Sequence, residues 1–96
     1  MDLAMTVTIQ ISNSHNKLTQ GEWARFVAEL QKAVERLCDK VHFVGGSDSF
    51  APWQNGCWVV DAPVESLDEL RAIILNVRKT YRQDSAALTC GATEFV

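Results

Sequence analysis

Apolar and polar residues alternate strictly over residues 5–11, with Met5, Val7, Ile9 and Ile11 on one side and Thr6, Thr8 and Gln10 on the other. A period of two with β-branched side chains predicts a strand buried on one face. Ser12, Asn13, Ser14, His15 and Asn16 are turn formers and end it. The period then changes. Trp23, Phe26, Val27, Leu30, Val34, Leu37 and Cys38 recur at three- and four-residue spacing, the stripe of an amphipathic helix over 20–39. Its start is written locally. Thr19 is an N-cap with Glu22 at N3, a capping box, and Leu18 and Trp23 stand where a hydrophobic staple needs them.

Residues 41–44 read as a short second strand stopped by Gly45 and Gly46, and residues 57–61 as a third. Two strands so joined predict an antiparallel hairpin with a long loop. Pro63 ends the third strand. A second helix opens with the same grammar, Ser66 capping and Glu69 at N3, with Asp68 adding favourable charge in the first turn. Leu67, Leu70, Ile73, Ile74, Val77 and Tyr81 form its stripe, Leu75 lies off that face, and the helix fades near Arg82. Residues 86–90 predict a weaker fourth strand. Beyond Gly91, residues 93–96 either continue it or pair back as a short fifth.

The element order is β-α-β-β-α-β. Right-handed crossovers place both helices on one face of a four-stranded antiparallel sheet. In this order the chain resembles the ferredoxin-like superfold, an α+β sandwich, over nearly its whole length. The fold hosts many unrelated activities, so the resemblance implies an architecture and no chemistry. Ninety-six residues suffice for one domain with one core, read here as residues 5–96, with 1–4 a short flexible N-terminal tail.

Composition narrows the use more than it defines it. A net charge of −3 with nine scattered Lys and Arg argues against nucleic acid, which draws on clustered cations. The densest group, Arg78, Lys79 and Arg82, falls at a helix C-terminus, where it complements the macrodipole. Cys38, Cys57 and Cys90 are odd in number and widely spaced, which fits reduced thiols in a cytoplasmic compartment. The first residues lack an apolar signal core, and no apolar run is long enough to span a bilayer. The expectation is a cytoplasmic protein with no membrane or nucleic-acid partner, no cofactor and no metal.

Two surfaces remain. The loop over 47–55 carries Phe50 and Trp53 where polar residues are usual, and exposed aromatics serve partner recognition. Asp48, Phe50, Trp53, Gln54 and Asn55 are therefore candidate partner-binding residues; the alternative is that the two aromatics fold back and plug the core. The second surface is the sheet face away from the helices. If Val41, Phe43, Trp58 and Val60 point to the helices, that face shows Thr6, Thr8, Gln10, His42, Val44, Cys57, Val59 and Asp61. It is poor in charge for a face left to water. Thr8, Gln10, His42, Cys57 and Asp61 are its candidate ligand or dimer residues. A thiol, a base and a carboxylate from Cys57, His42 and Asp61 converge only if the strand register brings them together. RNA-stacking aromatics are lacking on the strands, and Gly45-Gly46-Ser47-Asp48 opens no helix that would bind phosphate. The reading reached is a small non-enzymatic interaction domain of accessory or inhibitor type, a homodimer that presents the aromatic hairpin loop to a protein partner. The alternative is a small dimeric enzyme or small-molecule-binding domain with a pocket on the sheet face.

Overall fold

The computed structural model describes residues 4–48 and 51–96. Its elements follow the predicted order: β1 (Ala4–Ser12), α1 (Gln20–Leu37), β2 (Lys40–Gly46), β3 (Asn55–Pro63), α2 (Leu67–Thr80) and β4 (Ala87–Gly91). The four strands form one antiparallel sheet in the order β2-β3-β1-β4, with the helices over one face. This is the ferredoxin-like βαββαβ sandwich. Ala4 belongs to β1 rather than to a tail; residues 1–3, assigned to that tail, lie outside the described residues.

Pairing between the two central strands sets the layers. Val7 stands opposite Val60, and Ile9 opposite Trp58, all buried. Residues directly opposite in a ladder share a face. Val7, Ile9, Ile11, Trp58, Val60 and Ala62 thus turn together toward Trp23, Phe26, Leu30 and Val34 of α1 and Leu70 and Ile74 of α2. Trp58 Nε1 donates to Gln31 Oε1 of α1 at 2.8 Å, so the largest core side chain keeps its polar atom satisfied. Phe26 meets Trp23 edge to face and stacks on Tyr81, which links the ends of the two helices.

The helix starts differ from each other. At α1 the capping box forms as read: Glu22 N donates to Thr19 Oγ1, and Thr19 N to Glu22 Oε1. At α2 it does not form, which corrects the second box. Residues Val64–Ser66 already wind as a 3-10 turn behind Pro63, so Ser66 has helical rather than extended backbone and its hydroxyl caps nothing. Glu69 is thereby released to accept from Arg36 of α1 at 3.0 Å.

Sequence periodicity left one buried feature unseen. Asn13, at the end of β1, is 7% exposed and saturates its carboxamide: Nδ2 donates to Gln54 Oε1 at 2.8 Å and to Leu18 O at 3.1 Å, and Oδ1 accepts from Leu18 N at 2.9 Å. Asn13 N donates to Gln54 O. Nearby, the buried Gln83 accepts from Ser14 N through Oε1 and donates to Tyr81 O. The β1–α1, β2–β3 and α2–β4 connections are thus stitched together at one end of the sheet by amide side chains.

Two contrasts test this account by urea unfolding. Asn13→Ala takes the acceptor from the buried Leu18 amide and the Asn13 donor from both Leu18 O and Gln54 Oε1, and should cost about 3 kcal/mol, since orphaning a buried group costs roughly 1–3. Thr19→Ala should cost about 1 kcal/mol, whereas Ser66→Ala stays within about 0.5. Equal losses at the two serine/threonine positions would contradict the asymmetric helix starts.

Candidate functional site

The sheet face away from the helices is built in three rows across the strands, fixed by register. Ala87, Gln10, Cys57 and Gly45 form one; Thr89, Thr8, Val59 and Phe43 the next; Gly91, Thr6, Asp61 and Lys40 the third. Phe43 was expected among the helix-facing residues and Val44 on this face. The structure reverses both. A β-bulge lies between Val41 and Phe43, so that His42 is an extra residue opposite no partner and parity along β2 shifts by one. Val41 still faces the helix side opposite Val60, but Phe43 now stands outside opposite Val59, and Val44 turns back opposite Trp58. The tip of the Phe43 ring reaches over Gly45: a Cβ there would stand 2.5 Å from Phe43 Cζ.

β2 is an edge strand, and Val41, Phe43 and Val44 are 43%, 54% and 48% exposed. Three apolar side chains within four residues of an edge are unusual, because edges left to water carry charge.

The bulge also aims His42. Its Nε2 lies 3.0 Å from Asp61 Oδ1, off the line of a good hydrogen bond, and has no other partner among the described residues. Thr6 Oγ1 donates to the same oxygen at 3.2 Å. These contacts, the His42 one foremost and the Thr6 one adding, hold the Asp61 carboxyl below the usual carboxylate range, against a smaller opposing effect of burial.

Beyond Gly91 the chain neither extends β4 nor forms a fifth strand. It crosses the open end of this face instead, where Thr93 Oγ1 contacts Thr6 Oγ1 and the Phe95 ring lies 6.0 Å from that of His42. Thr6, His42, Asp61, Thr93 and Phe95 thereby line a cleft of about 260 Å³. Thr93 and Phe95 were not among the sequence candidates, since nothing in the local pattern says that a segment leaving an edge strand will cross the sheet. Of those candidates, His42 and Asp61 come into contact. Thr8 sits one row away from Asp61, and Gln10 and Cys57 face each other across the far row. Cys57 is four residues from Asp61 along β3, roughly 13 Å, so the thiol, imidazole and carboxylate do not converge. Cys38 has its thiol pushed up by burial, with the Asp39 charge adding, which leaves it a poor nucleophile at neutral pH.

At the opposite end of β3, Trp53 is 71% exposed, so it does not plug the core. Asp48 and Asn55 are exposed beside it, and Asn55 Nδ2 donates to Trp53 O. Gln54 is 4% exposed and turned inward onto Asn13, so it anchors the loop rather than presenting itself, a correction to its place among the partner-binding candidates. Phe50 lies outside the described residues. Among the described residues, no cluster of His, Cys, Asp and Glu is suited to hold a metal ion, and no helix is long and apolar enough to cross a membrane.

No protein-family model matches the chain, and no curated protein matches it. Among solved structures it is similar to the crystal structure of a dimeric ferredoxin-like protein from an uncultured marine organism, at 11% identity and a TM-score of 0.47, over 97% of this chain and 91% of that one. The fold assignment here rests on strand order and pairing.

The His42–Asp61 contact can be measured directly. His42→Ala should let the Asp61 carboxyl titrate higher, toward its ordinary range, in a carbon-detected NMR titration. Because the folded carboxyl sits below its unfolded value, its stabilisation is present above the ordinary carboxylate range. It is lost as pH falls through the depressed value, so the stability gap between wild type and variant should narrow over that acid window. Identical Asp61 titration in both proteins would show the contact to be absent in solution.

Proposed function

We propose that this chain is a small interaction domain that self-associates through β2 and offers the Trp53 end of the β2–β3 hairpin to a protein partner. The observation that carries the reading is the three exposed apolar side chains of one edge strand, Val41 and Val44 on its helix side and Phe43 on the other, all of which a strand paired along that edge would flank. A second copy of the same strand satisfies both things the edge leaves open, its unpaired backbone groups and its apolar side chains, in one isologous contact.

Magnitudes set the character of that contact. Full burial of an aliphatic or aromatic side chain contributes about 1.5–3 kcal/mol, and these are already half-buried, so they supply on the order of 5 kcal/mol across two copies. Rigid-body association costs roughly 4–15 kcal/mol. Their burial alone therefore supports a reversible, concentration-dependent dimer, with backbone pairing adding to it. Trp53 is separate from this edge and suits a different partner. A large rigid ring held beside an anchored Gln54 buries much area at small entropic cost.

Light scattering through the micromolar range should show the mass rising toward a dimer. Phe43→Asp should hold the protein monomeric, with folding stability changed by no more than about 1 kcal/mol, because the ring lies on the surface. A concentration-independent monomeric mass in the wild type would defeat the self-association reading. Separately, Trp53→Ala should leave stability within about 0.5 kcal/mol and the dimer intact while abolishing capture of a partner from lysate. A loss of several kcal/mol would make Trp53 part of the core.

A further inference from the structure

The cleft between the β2 bulge and residues 92–95 has a one-sided hydrogen-bonding character. Thr6 has one hydroxyl proton, and it goes to Asp61 Oδ1. In the contact between Thr6 and Thr93, the proton must therefore come from Thr93. The imidazole nitrogen nearest the carboxylate, His42 Nε2, faces the same Oδ1. Both hydroxyl protons are thus spent inward, that of Thr6 on Asp61 Oδ1 and that of Thr93 on Thr6 Oγ1. What remains for an incoming molecule accepts: Asp61 Oδ2, which takes no hydrogen bond among the described residues, the lone pairs of Thr93 Oγ1, and the π face of Phe95, a ring 80% exposed. The lowered titration of Asp61 keeps this charge in place across the neutral range.

We infer that this cleft is a binding site for an organic cation, an alkylammonium or guanidinium group seated on Asp61 Oδ2 and Thr93 with its carbon chain against Phe95. A carboxylate joined to an aromatic face is the usual pairing for such a group, since the ring quadrupole and the charge act in the same sense. At about 260 Å³ the cleft falls below the roughly 300–1,000 Å³ of drug-sized sites, so it takes a head group rather than a large ligand. The net charge of −3 attracts cations at long range. One internal rival exists. Lys40 stands opposite Asp61 in the β2–β3 register, exposed and making no ion pair among the described residues, and it competes for the same oxygen. The site does not depend on self-association: its carboxylate, hydroxyls and ring all come from one chain.

The test is an amide NMR titration with butylammonium chloride, with sodium chloride at equal ionic strength and 1-butanol as controls. Saturable shifts should be confined to residues around Thr6, His42, Asp61, Thr93 and Phe95, and butanol should not reproduce them. Asp61→Asn should weaken binding about tenfold or more, Phe95→Ala about threefold, and Lys40→Met should tighten it by removing the competitor. Phe95 is too exposed for its loss to unfold the domain, so its variant remains informative if Asp61→Asn is unstable. Equal shifts with butanol, shifts scattered over the exposed carboxylates of α1, or wild-type affinity in both variants would overturn the site. N-acetyl-lysine methylamide separates the sources. Binding much tighter than butylammonium identifies a lysine side chain of a protein partner, and equal binding identifies a free amine.

Discussion

The nine-residue register between β1 and β3 is the constraint on which the rest of the structure depends. Once Ile9 is set against Trp58 and Val7 against Val60, every second residue of both central strands is committed to the helix layer and every other to the opposite face. A slip of one residue would exchange the two sets completely, placing the threonines and Asp61 under the helices. Burial of Trp58 together with its bond to Gln31 makes such a slip costly, because both the ring and the indole N–H would lose their partners. The edge strands β2 and β4 inherit their facing from this pair.

Most of this frame was legible in the chain, and the exceptions share a cause. The α1 stripe and the Thr19/Glu22 box depend only on residues within one helical turn, and both stand as read. The Ser66/Glu69 pattern has the same letters, yet what precedes it is a proline-led 3-10 turn rather than extended chain, and a cap is as much a backbone conformation as a residue type. Phe43 and Val44 were misplaced because alternation counts residues, whereas the ladder counts pairs; the extra residue at His42 makes those counts differ. Gln54 looked like loop polarity. Its partner Asn13 is 41 residues away, and no local pattern reports a bond between two distant amides.

The same reasoning explains why the site resisted the sequence. His42 and Asp61 were recognised as residues of one face, but their contact exists because the bulge turns the imidazole along the sheet toward a different row. Thr93 and Phe95 join them only because the chain doubles across the sheet after Gly91. The groups that meet come from three strands and a terminal segment, each ordinary alone. Their combined chemistry, one carboxylate oxygen holding two neighbours and the other left open, is a property of the tertiary arrangement.

The bulge at His42 also gives the molecule an unusual relation to its own gene. Deleting that one codon would close the bulge and leave the other β2–β3 pairs as they are, Phe43 outside opposite Val59 and Val44 on the helix side opposite Trp58, while it removes the imidazole from Asp61. The central strands, both helices and the buried amide lattice would be untouched, because none of them contacts the rest of the chain through that residue's parity. A single in-frame event thus separates two versions of the cleft on an unchanged scaffold: the exposed apolar residues of β2 stay where they are, and only the wall beside Asp61 is lost.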